Sequence, residues 1–453
     1  MTAVTSFCGL CLLLILGKIL RMRFSIFQRL YLPSSVIGGI AGLLLVSCFG
    51  KQIPSNWYAG WGGIPSFLIN IVFAALFLGV STPGIRKIWK VCAPQLCYGQ
   101  IIAWGQYVVG ILLVFLVLHP IFGVSPAFAA LIEVGFEGGH GTVAGLADTF
   151  RELGWGQGKD LGFTVATVGM ISGVVLGMWL INLAVKLGWV KNIRSFANQS
   201  EHERMGIYPD DAQPPAGRQT VSSDSIDSLA LHVAIIGLAV TVGYGIKELF
   251  RLLNTVSPEC IQNLKFLESF PLFPLCMIGG LLVQNLFRLF KLEYLIDHGL
   301  MQRLAGTSLD FLVVAAVASI RLDFIAANWM PLVLLCLAGI AWNVGGVLFL
   351  APRILKNAWF ERAIAEFGQS TGVTATGLLL LRTVDPENKT VAAEAFGYKQ
   401  LLHEPVMGGG IWTSLAVPLL LTQGYSAVFI TSSVMVLLWL LFWWFVLRRG
   451  SYI

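Results

Sequence analysis

Long apolar runs dominate the chain, and short polar or glycine-rich stretches separate them. A helix that crosses the hydrocarbon core of a bilayer needs about 20 mostly apolar residues. Runs of that kind lie near 3–20, 32–50, 65–83, 93–118, 160–188, 227–250, 271–290, 304–320, 328–350, 391–421 and 425–447, which predicts eleven transmembrane helices. The run at 391–421 is the least regular, with Glu394, Lys399, His403 and Glu404 in its first half. The first run has no basic residue ahead of it and is followed by Arg21 and Arg23, the reverse of a secretion signal.

Two stretches are too polar to span and too apolar to be loops. One surrounds Gly138-Gly139-His140-Gly141-Thr142, the other Ser370-Thr371-Gly372-Val373-Thr374. Each follows a short apolar lead, and neither is long enough to cross and return as two full helices. Broken backbone at membrane depth persists only when it is buried in protein or lines a cavity, so both predict re-entrant hairpins, near 126–148 and 359–384. They share Ala-x-x-Glu-x-Gly-x-x-x-Gly, with Ala130, Glu133, Gly135 and Gly139 answering Ala363, Glu366, Gly368 and Gly372. Close helix packing through small residues accounts for one such motif; it accounts poorly for two, each set between the fourth and fifth span of its half. The expected fold is therefore an all-α polytopic membrane protein built from two inverted-topology repeats of five spans. The repeats are 1–190 and 227–421, joined by a charged, proline-containing cytoplasmic linker at 191–226. Residues 422–453 add one C-terminal helix.

Composition agrees with this layout. Of 453 residues 56% are apolar and 12% charged, with mean hydropathy +0.77. Soluble proteins carry about 25% charged residues, so a soluble enzyme, a disordered scaffold and a nucleic-acid binder are excluded. The net charge of +6 is mostly topology signal. Lys18, Arg21, Arg23 and Arg29 place the first turnaround in the cytoplasm, and alternation puts most other basic residues there too. The N-terminus is expected outside and the C-terminus inside. The eight cysteines are scattered, mostly within apolar runs, and read as small core residues.

Inverted repeats with broken helices serve many secondary transporters, where helix ends meet anions and unwound carbonyls hold cations. Gly139, Gly141 and Gly372 let backbone approach a ligand, and Thr142, Ser370, Thr371, Thr374 and Thr376 offer hydroxyls. His140 is a substrate donor or a bridge within its turn. Arg382 either clamps a carboxylate or is a cytoplasmic basic residue. Ionisable groups at membrane depth are costly unless paired; Glu133, Glu366 and Asp310 are thus candidate sodium ligands, the two glutamates alternatively anchoring the hairpin bases. His403-Glu404 lacks the second histidine of a zinc-protease helix, and Gly154 to Lys159 lacks the first glycine and the final Ser or Thr of a phosphate loop. With no ATP module in the sequence, transport must draw on an ion gradient.

Gly138-Gly139-His140-Gly141-Thr142 resembles the first hairpin motif of the bacterial sodium/glutamate symporter family. The block from Ser370 to Gly377, running into Leu381-Arg382-Thr383-Val384-Asp385-Pro386, is similar to the second hairpin in one branch of it. That resemblance implies sodium-coupled symport of L-glutamate across the bacterial cytoplasmic membrane, with sodium as coupling ion and no cofactor. It also implies a homodimer in which a scaffold holds a mobile part carrying both hairpins. The tip of Ser and Thr at 370–376 and the added C-terminal helix depart from better-known members. Other readings are symport of aspartate, malate or citrate, a cation/proton antiporter using the buried glutamates, a channel, or a membrane enzyme.

Overall fold

The computed structural model describes residues 2–30, 32–50, 52–80, 85–190, 201–209, 213–256, 271–385 and 389–448. Every regular element among them is helical. The principal helices are α1 (Thr2–Arg23), α2 (Ser34–Phe49), α3 (Ile64–Ala75), α4 (Ile85–Leu113), α5 (Gly158–Lys186), α6 (Ser228–Val256), α7 (Leu272–Leu289), α8 (His298–Ala318) and α9 (Trp329–Gly345). They are followed by the broken α10 (Trp359–Val384), α11 (Ala392–His403), α12 (Ile411–Thr422) and α13 (Tyr425–Phe442). One panel packs α1, α2, α3, α6, α7 and α8; a second gathers α4, α5 and α9 to α13 around the polar stretches.

Among the described residues nine helices are long and apolar enough to cross a membrane, where the sequence predicts eleven. Two of the predicted runs account for the difference. The run at 32–50 forms α2, which is apolar but with 16 residues shorter than any of the nine, the one that contains α3 running from Ser55 to Ala75. The run at 391–421 is not one helix, because α11 stops at His403 and α12 starts at Ile411. Between them Gly408 and Gly409 take φ of +66° and +110°, backbone that leaves the helix and that glycine alone adopts without strain.

The chain also doubles back at both polar stretches. After α4 it turns at Gly123, and Pro126–Ala130 and Glu133–Glu137 run back along α4. The Ala129 carbonyl lies against Gly110, and Tyr107 meets Glu133. Beyond Gly139 the short helix Gly139–Gly145 leads away along α3 and the start of α5, with Ser66 donating to the Ala144 carbonyl and Val143 packed on Gly162. The second stretch does the same from the other end of α4. Its first arm passes Gln95 at Arg362 and Gln106 at Ser370. Helical geometry breaks at Gly372 and Val373, and the return arm lies against the first, with Gly377 Cα 2.6 Å from where a Cβ of Gly368 would stand.

Helix α13 lies along α4, where Cys97 Sγ donates to the Trp439 carbonyl (3.3 Å). Within the linker, the short helix Glu201–Met205 ends on Lys18, whose ammonium donates to the carbonyls of Met205 (3.0 Å) and Gly206 (2.7 Å). Linker residues 191–200 and 210–212, and Pro386 of the second motif, lie outside the described residues.

Candidate functional site

Three breaks in the helical ladder meet beside the middle of α4: the turn at Gly138–Gly139, the break at Gly372–Val373, and the loop between α11 and α12. Each break exposes backbone groups that a continuous helix would satisfy internally. At the second break and in the loop they are met by side chains from neighbouring elements, at the Ser370 carbonyl and at both backbone groups of Gly408, so the junction is a polar network enclosed by apolar helices.

Glu133 is fully buried and accepts from three neutral donors: Tyr107 Oη (2.6 Å), the Gly408 amide (2.9 Å) and Thr413 Oγ1 (2.7 Å). It thereby ties the first fold-back to α4 and to the loop before α12. Glu366, equally buried, takes Gln95 Nε2 (2.8 Å) and Lys399 Nζ (2.8 Å). Glu137 bonds His403, whose other ring nitrogen lies 3.0 Å from Gln100 Nε2. Thr374 accepts from Gln400 (2.7 Å) and donates to Glu404 (3.0 Å). Thr142 donates to the Gly408 carbonyl (3.3 Å).

The structure brings together most of the residues expected from sequence. His140 lies beside Thr167 of α5 (2.9 Å) and stacks on Phe163. Gly139 abuts Val373, so the two tips touch, and Gly141 packs on Ile69. The Ser370 carbonyl accepts from Gln106 (2.7 Å) and Asn343 (3.1 Å). Thr371 returns its hydroxyl to the Phe367 carbonyl (2.6 Å), and Thr376 lies buried beneath Gly372. Two residues are placed elsewhere. Arg382 is exposed near the end of the return arm, and Asp310 is exposed on α8, facing Ser35 of α2.

Sequence reasoning missed the partners. Gln95, Gln100 and Gln106 are signals in hindsight, since three amides in one apolar run face something polar. Lys399 and His403, and likewise Gln400 and Glu404, are pairs four residues apart and so share faces of α11. Around the junction the buried oxygens Glu137 Oε2, Ser370 Oγ, Gln106 Oε1 and Gln400 Oε1 have no partner among the described residues. Buried oxygens without a partner are uncommon in folded proteins; among the described residues no group of three or more His, Cys, Asp or Glu could hold a metal ion.

Residues 1–354, which include the first fold-back and its Gly-Gly-His-Gly-Thr tip, match the family model of the sodium/glutamate symporters. The chain belongs to the sodium/glutamate symporter family. No curated protein sequence matches it. As a member of the sodium/glutamate symporters it is a multi-pass membrane transporter and not an enzyme, and sodium is the coupling ion. The matched part stops short of the second fold-back, so Thr374, Lys399, His403 and Glu404 lie beyond it.

Proposed function

We propose that this protein takes up L-glutamate together with sodium across the bacterial cytoplasmic membrane, binding both where the two fold-backs meet. The observation that carries the reading is the contact of Gly139 with Val373, which closes one polar junction from two directions. The first fold-back lies along the C-terminal half of α4, and the first arm of the second runs from Gln95 in its N-terminal half to Gln106 near Tyr107. This supports two re-entrant hairpins entering from opposite faces, within inverted repeats at 1–190 and 227–421. With the basic turnarounds inside, the N-terminus is outside and the C-terminus inside.

A dicarboxylate needs two separate donor clusters. His140 and Thr142 serve one side, and Ser370, Thr374 and Thr376 the other, with Thr142 and Thr374 exchanging their bonds to the Gly408 carbonyl and to Glu404 for bonds to the substrate. The unpartnered oxygens of Glu137, Ser370, Gln106 and Gln400 supply ligands for sodium and for the substrate ammonium. Alternating access follows if the hairpins move together past the α1–α3 and α6–α8 panel, and the family resemblance extends the reading to a homodimer. Uptake of labelled glutamate into proteoliposomes under a sodium gradient, with aspartate and citrate as competitors, tests it. Uptake driven equally by a proton gradient without sodium would overturn the coupling; stronger competition by citrate than by glutamate would overturn the substrate.

A further inference from the structure

Glu133 and Glu366 hold matching places in the two fold-backs but are neutralised differently. Glu133 receives only neutral donors. Glu366 receives an ammonium, since Lys399 Nζ lies 2.8 Å from its Oε1 and 3.0 Å from Gln369 Oε1. Both side chains of this ion pair are sealed from solvent. The pair occupies a gap that α4 leaves at Gly99, where any Cβ would collide with the Glu366 carboxylate and stand 2.7 Å from Lys399 Cε. Arg362, one turn before Glu366, is turned to Gln95 Oε1 (3.1 Å) instead.

An isolated carboxylate in such a place is strongly unfavourable unless it is protonated or compensated, and Glu366 is compensated by a cation. In a sodium symporter that cation can come from solution or from the chain. We propose that the Lys399 ammonium is a tethered counter-cation standing in a sodium-type site made by Glu366 Oε1 and Gln369 Oε1, so that the second fold-back carries its own positive charge and takes no sodium ion there. The inference rests on the sodium-coupled reading above. Its consequence is a lower sodium requirement per transport cycle than the same fold would have without the lysine. Lys399 lies in the part of the chain beyond the stretch that matches the family model.

Lys399→Ala removes the ammonium and opens its space. Purified protein is unfolded thermally in sodium and in potassium buffers, a readout that requires no glutamate. The variant is expected to gain a larger sodium-specific rise in melting temperature than the wild type, because an ion that binds only the folded state stabilises it. The gain should vanish in the Glu366→Gln/Lys399→Ala double variant, and in proteoliposomes the sodium activation curve of Lys399→Ala should be steeper by an additional ion. A sodium response equal to the wild type, which would mean that Arg362 swings in, overturns the proposal. So does stabilisation by acid in place of sodium, or failure of Lys399→Ala to fold in sodium-rich buffer. Absence of sodium-driven glutamate uptake by the wild type would instead sink the functional reading and leave the unfolding result standing.

Discussion

Gly139 and Val373 abut at the tips of the two fold-backs, and both hold left-handed backbone, with φ of +66° and +63°. For glycine this conformation is accessible without strain, whereas for a β-branched residue it costs on the order of 1–3 kcal/mol. The strain sits where the proposed site closes. Gly139→Ala should abolish most uptake, because the added methyl meets both an unfavourable φ and the Val373 side chain. Adding Val373→Gly removes the obstruction and should recover part of the activity. Wild-type uptake in Gly139→Ala would show that the tips need not touch.

Thr374 links Gln400 and Glu404 at the mouth of the return arm. Thr374→Val keeps the shape and removes the hydroxyl, and should weaken glutamate binding by about ten- to a hundred-fold, as loss of one hydrogen bond to a charged group does. Arg382→Lys should bind as the wild type, since that side chain is exposed. Calorimetric isotherms decide between them; unchanged affinity in both Thr374→Val and His140→Ala would move the site elsewhere.

Tyr107 donates to buried Glu133. Tyr107→Phe leaves that carboxylate one donor short and should destabilise the fold by about 1.5–3 kcal/mol. Denaturation in detergent measures this, and a loss below about 0.5 kcal/mol would mean that Gly408 and Thr413 suffice.

At the start of α8, Asp297 caps the helix through the Leu300 amide (2.9 Å) and holds the linker through the Arg218 amide (3.1 Å). Slight burial opposes its charge, but these donors and His232 outweigh it and hold the carboxyl below its ordinary value. Its contribution is therefore complete above about pH 4, the unfolded value, and fades as pH falls through the lower folded one. Asp297→Ala should cost about 1 kcal/mol at neutral pH and speed proteolysis of the linker. Equal cleavage rates would detach the linker from this cap.

Orientation is testable in intact cells. Single cysteines at the N-terminus and in the loop at 151–159 should react with an impermeant thiol reagent, and cysteines in the 213–226 linker should not. Labelling of the linker would reverse the topology.

The sequence alone determined the membrane-spanning class, the positions of most spans and the two glycine-rich interruptions, because length and hydropathy act locally. A run of twenty apolar residues has few options in a bilayer, and a Gly-Gly-His-Gly-Thr segment cannot continue an apolar helix at low cost. The tertiary structure decided what those interruptions face. Gln95, Gln106, Lys399 and His403 are distant in the chain from Glu366, Ser370 and Glu137, and only packing of α4 and α11 against the fold-backs pairs them. It also divided the run at 391–421, since the Gly408 amide and carbonyl are more useful to Glu133 and Thr142 than to a helix of their own. Arg382 and Asp310 show the converse limit: charge in an apolar context marks a residue that needs a partner or a polar surface, but only the fold says which of the two it receives.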